Sequence, residues 1–364
     1  MRVCIPIPFR PEGGGQYFLQ LFRRHLRTHG HEVVDDVAGR YDVLLTNHWV
    51  VPLRTILAAI RHNRDVRIVQ RIDGSATDYG RSGHADQRQH EVDLVADLTV
   101  FQSSYARWST REKFPVIVHD GPVIHNPVDL DRFTPDGPRA ECTGSTRIAS
   151  VSWSTNRKKG ASGIYEIARL NPSVEFFLCG RFLDLPSLSN VHYLGVLDRD
   201  RLPIVLRTCH ALLTLSENEA CPNHVLEALA SGLPILYADS GAMTEVIGNC
   251  GLPVTVETST AQIAAVMKDR ENRSRRSRQR AVDHFEPRTI FTRYLAAIKQ
   301  ARIAPPRVAV QTRFLWALGG PAAVWWLGRD RWDAERPSRP ASRTEGPSWD
   351  RDRRGTRPAR HEER

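Results

Sequence analysis

Ser216-Glu217-Asn218-Glu219-Ala220-Cys221-Pro222-Asn223-His224-Val225-Leu226-Glu227-Ala228-Leu229-Ala230-Ser231-Gly232-Leu233-Pro234 is the stretch that decides how this chain folds. It follows the apolar run Ala211-Leu212-Leu213-Thr214-Leu215, which suits a strand buried in a parallel sheet. A short loop closed by Pro222 comes next. From Asn223 the spacing turns helical, with Val225, Leu226, Leu229 and Ala230 on one side. Gly232 stops that helix and Pro234 prevents its restart. The pattern is strand, loop, helix. Glu219 falls on the loop at the carboxyl end of the strand, where open α/β sheets bind ligands. Glu227 falls about one turn into the helix, so the two acids face one crevice at different depths. Two solvated helix-end acids would be the plain alternative.

Outward from this stretch, strands alternate with helices on both sides, the pattern of parallel α/β sheets. Residues 148–151, 174–179, 191–194, 211–215, 235–237 and 252–254 read as strands of one series, with helices at 161–170 and 198–207. An earlier series has strands at 3–7, 32–34, 42–46, 66–70 and 98–102. Its helices fall at 17–26, 53–62 and 103–114. Ile124-His125-Asn126-Pro127-Val128-Asp129-Leu130-Asp131-Arg132-Phe133 lacks periodicity and suits a linker. The expected domains are therefore 1–125 and 135–285, joined by a linker at 126–134. A C-terminal helix at 286–302 is expected to pack back toward the first domain. Residues 261–284 read as one helical stretch.

The 364 residues are 41% apolar and 25% charged, an ordinary globular composition with room for about two domains. The opening nine residues read as a first strand rather than a signal peptide. Six scattered cysteines without a Cys-x-x-Cys suit free thiols in a reducing compartment. The net charge of +10 is uneven, and +6 of it lies beyond residue 300. That placement, with no aromatic-basic stacking module, argues against nucleic acid as a partner. Residues 303–364 are rich in Trp, Arg and Pro, and most of them are expected to be disordered. The apolar piece 313–329, with Trp316, Trp325 and Trp326, is too short to span a bilayer. It could lie in a membrane interface or dock on the protein. A cytoplasmic setting, free or at the inner face of a membrane, follows.

The residues that carry chemistry sit at strand ends. Gly13-Gly14-Gly15 follows the first strand and opens a helix, so backbone amides and the helix N-terminus can approach a phosphate or a sugar. A flexible turn is the plain alternative. Lys158-Lys159-Gly160 follows the strand at 148–151, in a chain with only five lysines. Arg181 follows the next strand. Two cations and a carboxylate loop thus meet on one side of one sheet, which matches a diphosphate beside a sugar. No metal-ligand constellation is visible, so charge on a leaving group would fall to Lys, Arg and helix dipoles.

At this point the chain resembles the retaining glycosyltransferases of family four. Residues 216–234 carry a form of their Glu-x7-Glu motif, continued through Asp239-Ser240-Gly241-Ala242-Met243-Thr244-Glu245. Residues 124–133 resemble the family's Asn-x-Val-Asp-x-x-x-Phe segment, and Lys158-Lys159-Gly160 its Lys-Gly phosphate site. The resemblance covers about residues 1–302, most strongly 148–253. It implies a GT-B fold, two Rossmann-like domains with parallel sheets facing across a cleft. It implies Glu219 on the donor sugar, Glu227 on the ribose and Lys159 on the diphosphate. Amides near Gly14 and Ala242 would help, and Cys221, Pro222 and Asn223 would line the sugar site. Asp73, at the end of Gln70-Arg71-Ile72-Asp73-Gly74, becomes an acceptor-side or sugar contact, or the cap of a turn. Two features depart from the family. Ser154 stands near the usual place of an arginine, with Arg157 and Arg181 as candidate substitutes. Asp73 occupies the region where a cleft-side histidine is often found.

These features point to transfer of a sugar from a nucleotide-diphosphate sugar to a hydroxyl on a glycan, a lipid-linked sugar or a small molecule. Anomeric configuration would be retained, and neither cofactor nor metal would be needed. The alternative is a non-catalytic nucleotide-sugar-binding or scaffold protein of polysaccharide assembly.

Overall fold

Short runs of Val, Ile and Leu place eleven strands, among the described residues, in two sheets that are parallel throughout. The computed structural model describes residues 1–8, 14–113, 121–141, 146–309, 312–313 and 315–320. Gly13, Cys142, Trp325 and Trp326 lie outside them.

The first sheet holds β1 (Arg2–Cys4), β2 (Glu32–Val34), β3 (Val43–Asn47), β4 (Arg67–Ile72) and β5 (Leu98–Phe101), in the order β2-β1-β3-β4-β5. Every residue of β3 is buried, as parallel strands covered on both faces require. Around the sheet lie α1 (Gly14–Thr28), α2 (Leu53–His62), α3 (Gly83–Asp93) and α4 (Ser104–Lys113). The second sheet holds β6 (Thr146–Ser152), β7 (Val174–Gly180), β8 (Val191–Gly195), β9 (Ala211–Thr214), β10 (Ile235–Tyr237) and β11 (Gly251–Pro253). Its order is β11-β10-β9-β6-β7-β8. Its helices include α5 (Ala161–Leu170), α6 (Arg201–Thr208), α7 (Asn223–Ala230) and α8 (Met243–Ile247). This is the pair of Rossmann-like sheets expected from the sequence.

Strand order locates the crevices. In the second sheet the chain runs outward from β6 to β7 and β8, then returns to place β9 on the other side of β6. The first sheet does the same between β1 and β3. At such switch points the loops diverge to opposite faces and leave a gap at the carboxyl ends of the strands.

Two elements differ from the sequence reading. Residues 261–284 are not one helix: α9 (Ser259–Lys268) ends at Asp269 and α10 (Arg270–Phe285) starts anew. Helix α3 is not foreshadowed by any apolar periodicity. It buries Asp86, Gln89, His90 and Asp93 instead of leucines. Asp86 accepts from the amides of Ala76 (2.5 Å) and Thr77 (2.9 Å), and Asp93 accepts from the Thr99 hydroxyl (2.6 Å). These bonds offset part of the cost of burying two carboxylates.

The last helix, α11 (Pro287–Ile303), leaves the second domain and packs on α1. Phe18 meets Tyr294 at 5.0 Å between ring centres, and Phe22 meets Phe291 at 5.2 Å. The chain then straps the first domain. Arg313 is fully buried, pairs with Asp97 at 2.6 Å and donates to the Val66 carbonyl at 2.8 Å. Trp316 is 3% exposed and belongs to the first domain's core. This corrects the membrane reading of 313–329 at Arg313 and Trp316, because a core tryptophan has no face left for a lipid interface. Among the described residues no helix is long and apolar enough to cross a membrane.

A buried ion pair that loses one member strands the other without solvent. Arg313→Ala is therefore expected to cost about 3 kcal/mol, read as a lower urea midpoint. Replacing both members by apolar residues (Arg313→Met with Asp97→Leu) should recover most of the loss. An unchanged midpoint in the single variant would contradict the strap.

Candidate functional site

The gap between β6 and β9 is filled from both strand ends. After β6 the chain makes a turn of its own. The Ser154 hydroxyl accepts from the Asn156 amide (3.1 Å), and the Asn156 side chain accepts from the Lys158 amide (3.0 Å). These bonds start the single 3-10 turn Arg157–Lys159. Ser154 is thus used as a turn builder at the place where an arginine was expected. Gly160 ends the turn at a φ of 71°, and a side chain there would lie 2.5 Å from the Leu215 carbonyl oxygen. Only glycine brings the two loops this close. The Glu217 amide donates to the Lys158 carbonyl at 2.7 Å and locks them together.

Lys159 Nζ meets Glu219 Oε1 as an ion pair whose side chains are 12% and 13% exposed. Burial would raise the Glu219 carboxyl, but Lys159 overrides it and holds the acid below its usual range. Burial likewise works against the Lys159 charge, and Glu219 more than compensates. The parallel pair Lys158–Glu217 lies toward solvent and is screened. The amide of Ala242, a candidate for the diphosphate, is spent on the Glu219 carbonyl at 2.8 Å.

Helix α7 carries the other residues of the motif. Pro222 is its N-cap residue. His224 Nε2 lies 3.0 Å from the Thr214 hydroxyl, and burial holds its imidazole down at about 4. Cys221 is buried, and burial pushes its thiol up to about 12. Glu227 is the unusual member: its Oε2 is buried without a hydrogen-bond partner. Burial pushes this carboxyl up to about 8, with Arg199 pulling the other way. Arg199 lies over the Tyr17 ring, 3.7 Å from its centre. A protonated acid, an aromatic hydroxyl with no partner and a cation thus share one corner.

The first domain closes the other side. Helix α1 begins at Gly14, and side chains at Gly14 and Gly15 would lie 2.8 Å from Asn223 Nδ2 and 2.6 Å from His48 Nε2. His48 follows β3 in a left-handed conformation, φ 54°. Its Nδ1 lies 2.6 Å from Asp73 Oδ1. Burial would raise Asp73, but His48, with help from Arg81 and Arg71, holds it below the usual range. The loop after Asp73 then reaches across the cleft. The Tyr79 hydroxyl donates to Glu219 Oε1 at 3.3 Å, and Lys159 lies 5.5 Å from the centre of its ring. Asn156 and Asn218 donate to the carbonyls of Tyr79 (2.8 Å) and Asp78 (2.7 Å).

Under this surface, Arg71 is fully buried and donates to the side-chain oxygens of Asn47 and Asn126. Asn126, in the linker, donates in turn to the Cys221 carbonyl (3.1 Å) and to Asn223 Oδ1 (2.8 Å).

The structure therefore brings Lys159, Glu219, Cys221, Pro222, Asn223, Glu227, Gly14, Gly15 and Asp73 to one cleft. Arg157 and Arg181 are exposed, and the immediate partners of the ion pair are each other and Tyr79. Sequence reasoning missed His48, Tyr79 and Arg199. His48 had a signal, a histidine directly after the buried strand Val43–Asn47. Tyr79 and Arg199 lie in loops where periodicity is silent.

Residues 151–282 match the family model described as glycosyl transferases group 1. The chain is 26% identical to a glycogen synthase of Mycobacterium tuberculosis over 309 residues, 76% of this chain and 73% of that protein. Its fold is similar to sucrose-phosphate synthase from Thermosynechococcus elongatus, with TM-score 0.67, 13% identity, and 82% and 98% of the two chains covered. It is also similar to Anabaena HepE, solved in complex with UDP and glucose, with TM-score 0.63, 15% identity, and 82% and 99% covered. The chain therefore has the GT-B fold, two parallel sheets around one cleft, and the match to glycosyl transferases group 1 lies across its second sheet.

Proposed function

We propose that the chain transfers a sugar from a nucleotide-diphosphate sugar to an acceptor hydroxyl with retention of anomeric configuration. The observation that carries this reading is the buried Lys159–Glu219 pair at the β6/β9 switch point, beside a Glu227 carboxyl lacking a partner. A diphosphate matches Lys159, the hydroxyls of the donor sugar match Glu219, and a ribose diol matches Glu227. The HepE complex with UDP and glucose supports this class of donor.

In the proposed reaction the donor displaces the ion pair's internal contact. The bond from the anomeric carbon to the phosphate oxygen breaks as the diphosphate leaves. The acceptor oxygen forms its bond to the same face of that carbon, and its proton passes to the departing phosphate. Lys159 balances the developing negative charge without a metal ion. A low-dielectric cleft strengthens that interaction, and the Tyr79 loop helps to exclude water. His48 and Asp73 lie on the acceptor side, where they orient the incoming hydroxyl. The acceptor is a glycan, a lipid-linked sugar or a small molecule.

Lys159→Ala and Glu219→Gln are each expected to lower transfer about 10²–10³-fold while leaving the circular dichroism spectrum unchanged. The assay is product formation from a panel of nucleotide sugars and acceptor extracts, repeated in EDTA, which should not reduce it. Wild-type rates in both variants would overturn the site. Nucleotide-sugar binding without turnover in the parent chain would support the non-catalytic scaffold instead.

Glu227 makes a prediction about protons. Its carboxyl, ordinarily at 4.5, lies at about 8 in the unliganded fold, so it is mostly protonated near neutral pH. A folded value above the unfolded one means stability is lost as pH rises from 4.5 to about 8. Hydroxyls donating to the carboxyl favour its ionised form. UDP binding at about pH 7 should therefore release a proton, seen as a calorimetric enthalpy that depends on the buffer's own ionisation enthalpy. Glu227→Gln should abolish the release and weaken UDP about tenfold.

A further inference from the structure

The strands that present Lys159 and Glu219 have a second end. At the amino ends of β6 and β9 four arginines converge on a cavity of about 170 Å³. Arg139 comes from the segment before β6, Arg147 from β6 itself, Arg207 from the last turn of α6 and Arg270 from the first residue of α10. His210, just before β9, also lines it. The described lining contains no Asp and no Glu.

Arg207 donates to the Pro138 carbonyl at 2.9 Å, Arg139 to the Pro135 carbonyl at 3.2 Å and Arg147 to the Thr208 carbonyl at 2.8 Å. Among the described residues no carboxylate pairs with Arg139, Arg207 or Arg270; the nearby Asp269 is taken by Arg273 (3.4 Å) and Arg276 (2.8 Å). The charges act on one another. Burial, then Arg139, holds the Arg207 guanidinium below its usual range. Burial, then Arg147, Arg270 and Arg139, holds His210 at about 4. Arg139, Arg207 and Arg270, like charges with no paired carboxylate among the described residues, repel one another, and an oxyanion that takes paired N–H donors removes the repulsion. The sixteen-residue helix α10 adds the positive end of its dipole, since Arg270 and Ser274 in its first turns line the cavity.

We propose that this cavity is an anion site for a phosphate group, carried by a phosphorylated metabolite or present as free phosphate. It is separate from the cleft. Seven residues of β6 lie between the two ends, a distance of about 20 Å, so the cavity is not an extension of the donor site. Ser231 and Gly232 line it as well, and they end the helix that carries Asn223 and Glu227 at its other turns.

The test is thermal unfolding of the full chain carrying Lys159→Ala, which removes the cation proposed to hold the donor's diphosphate in the cleft. It is run with inorganic phosphate, with glucose 6-phosphate, and with potassium chloride at matched ionic strength. Either phosphate compound should raise Tm by about 2 °C over the chloride control, the larger shift identifying the source. Adding Arg139→Gln and Arg270→Gln should remove that rise. The same pair should leave the phosphate-free Tm equal or higher, because repulsion is relieved. No rise over chloride, a rise that survives in the arginine variant, or a variant less stable than its parent without phosphate would each overturn the proposal.

Discussion

The site depends on two opposite charges held out of water, Lys159 and Glu219, at the ends of adjacent strands. Desolvating such a pair costs about as much as the attraction returns, so it does little for stability. Its value lies in being exchangeable. A ligand that offers negative charge to the lysine and hydroxyls to the carboxylate can replace the internal contact with little electrostatic penalty. Sheet topology places the pair, because β9 returns to the far side of β6 and leaves a gap between their loops. Gly160 lets those loops touch.

The two domains are joined by an uncommon junction. The centre is a buried arginine held through its terminal nitrogens by amides, with Arg71 on Asn47 and Asn126, and Asn126 on Cys221 and Asn223. Several other contacts across the cleft are also polar. Glu245 accepts from the Ser104 amide at 3.0 Å and lies 3.0 Å from His125 Nε2, while the Tyr79 loop bonds to Asn156 and Asn218. Such hydrogen bonds exchange for water at small net cost, whereas opening an apolar interface would expose a core. The largest aromatic connection lies on the hinge side, where α11 crosses to α1. Opening and closing on the substrate side is therefore the inexpensive motion.

What was legible in the sequence follows from which physics has a period. Strands such as Ala211–Thr214 and helices such as Leu53–His62 were readable because burial repeats along them. The two-domain α/β fold and the cluster around residues 216–234 came from that, together with the spacing of Glu219 and Glu227. Helix α3 was not readable, because its buried side is Asp86, Gln89, His90 and Asp93, and Asp86 and Gln89 are held by residues ten and fifteen positions away. Tyr79 was hidden for a related reason: its role depends on a contact 140 positions away. Trp316 and Arg313 lay in a piece that could meet a membrane interface or dock on the protein, and a local arginine-rich stretch cannot reveal that Asp97 and the Val66 carbonyl await it across the fold.

The most direct measurement is a crystal structure of the chain with UDP bound. The account predicts Lys159 Nζ lifted from Glu219 onto the diphosphate, and the Glu227 carboxyl on the ribose hydroxyls. UDP seated away from residues 216–234, or lying in the cleft with the Lys159–Glu219 pair unbroken and its phosphates held by other groups, would contradict it.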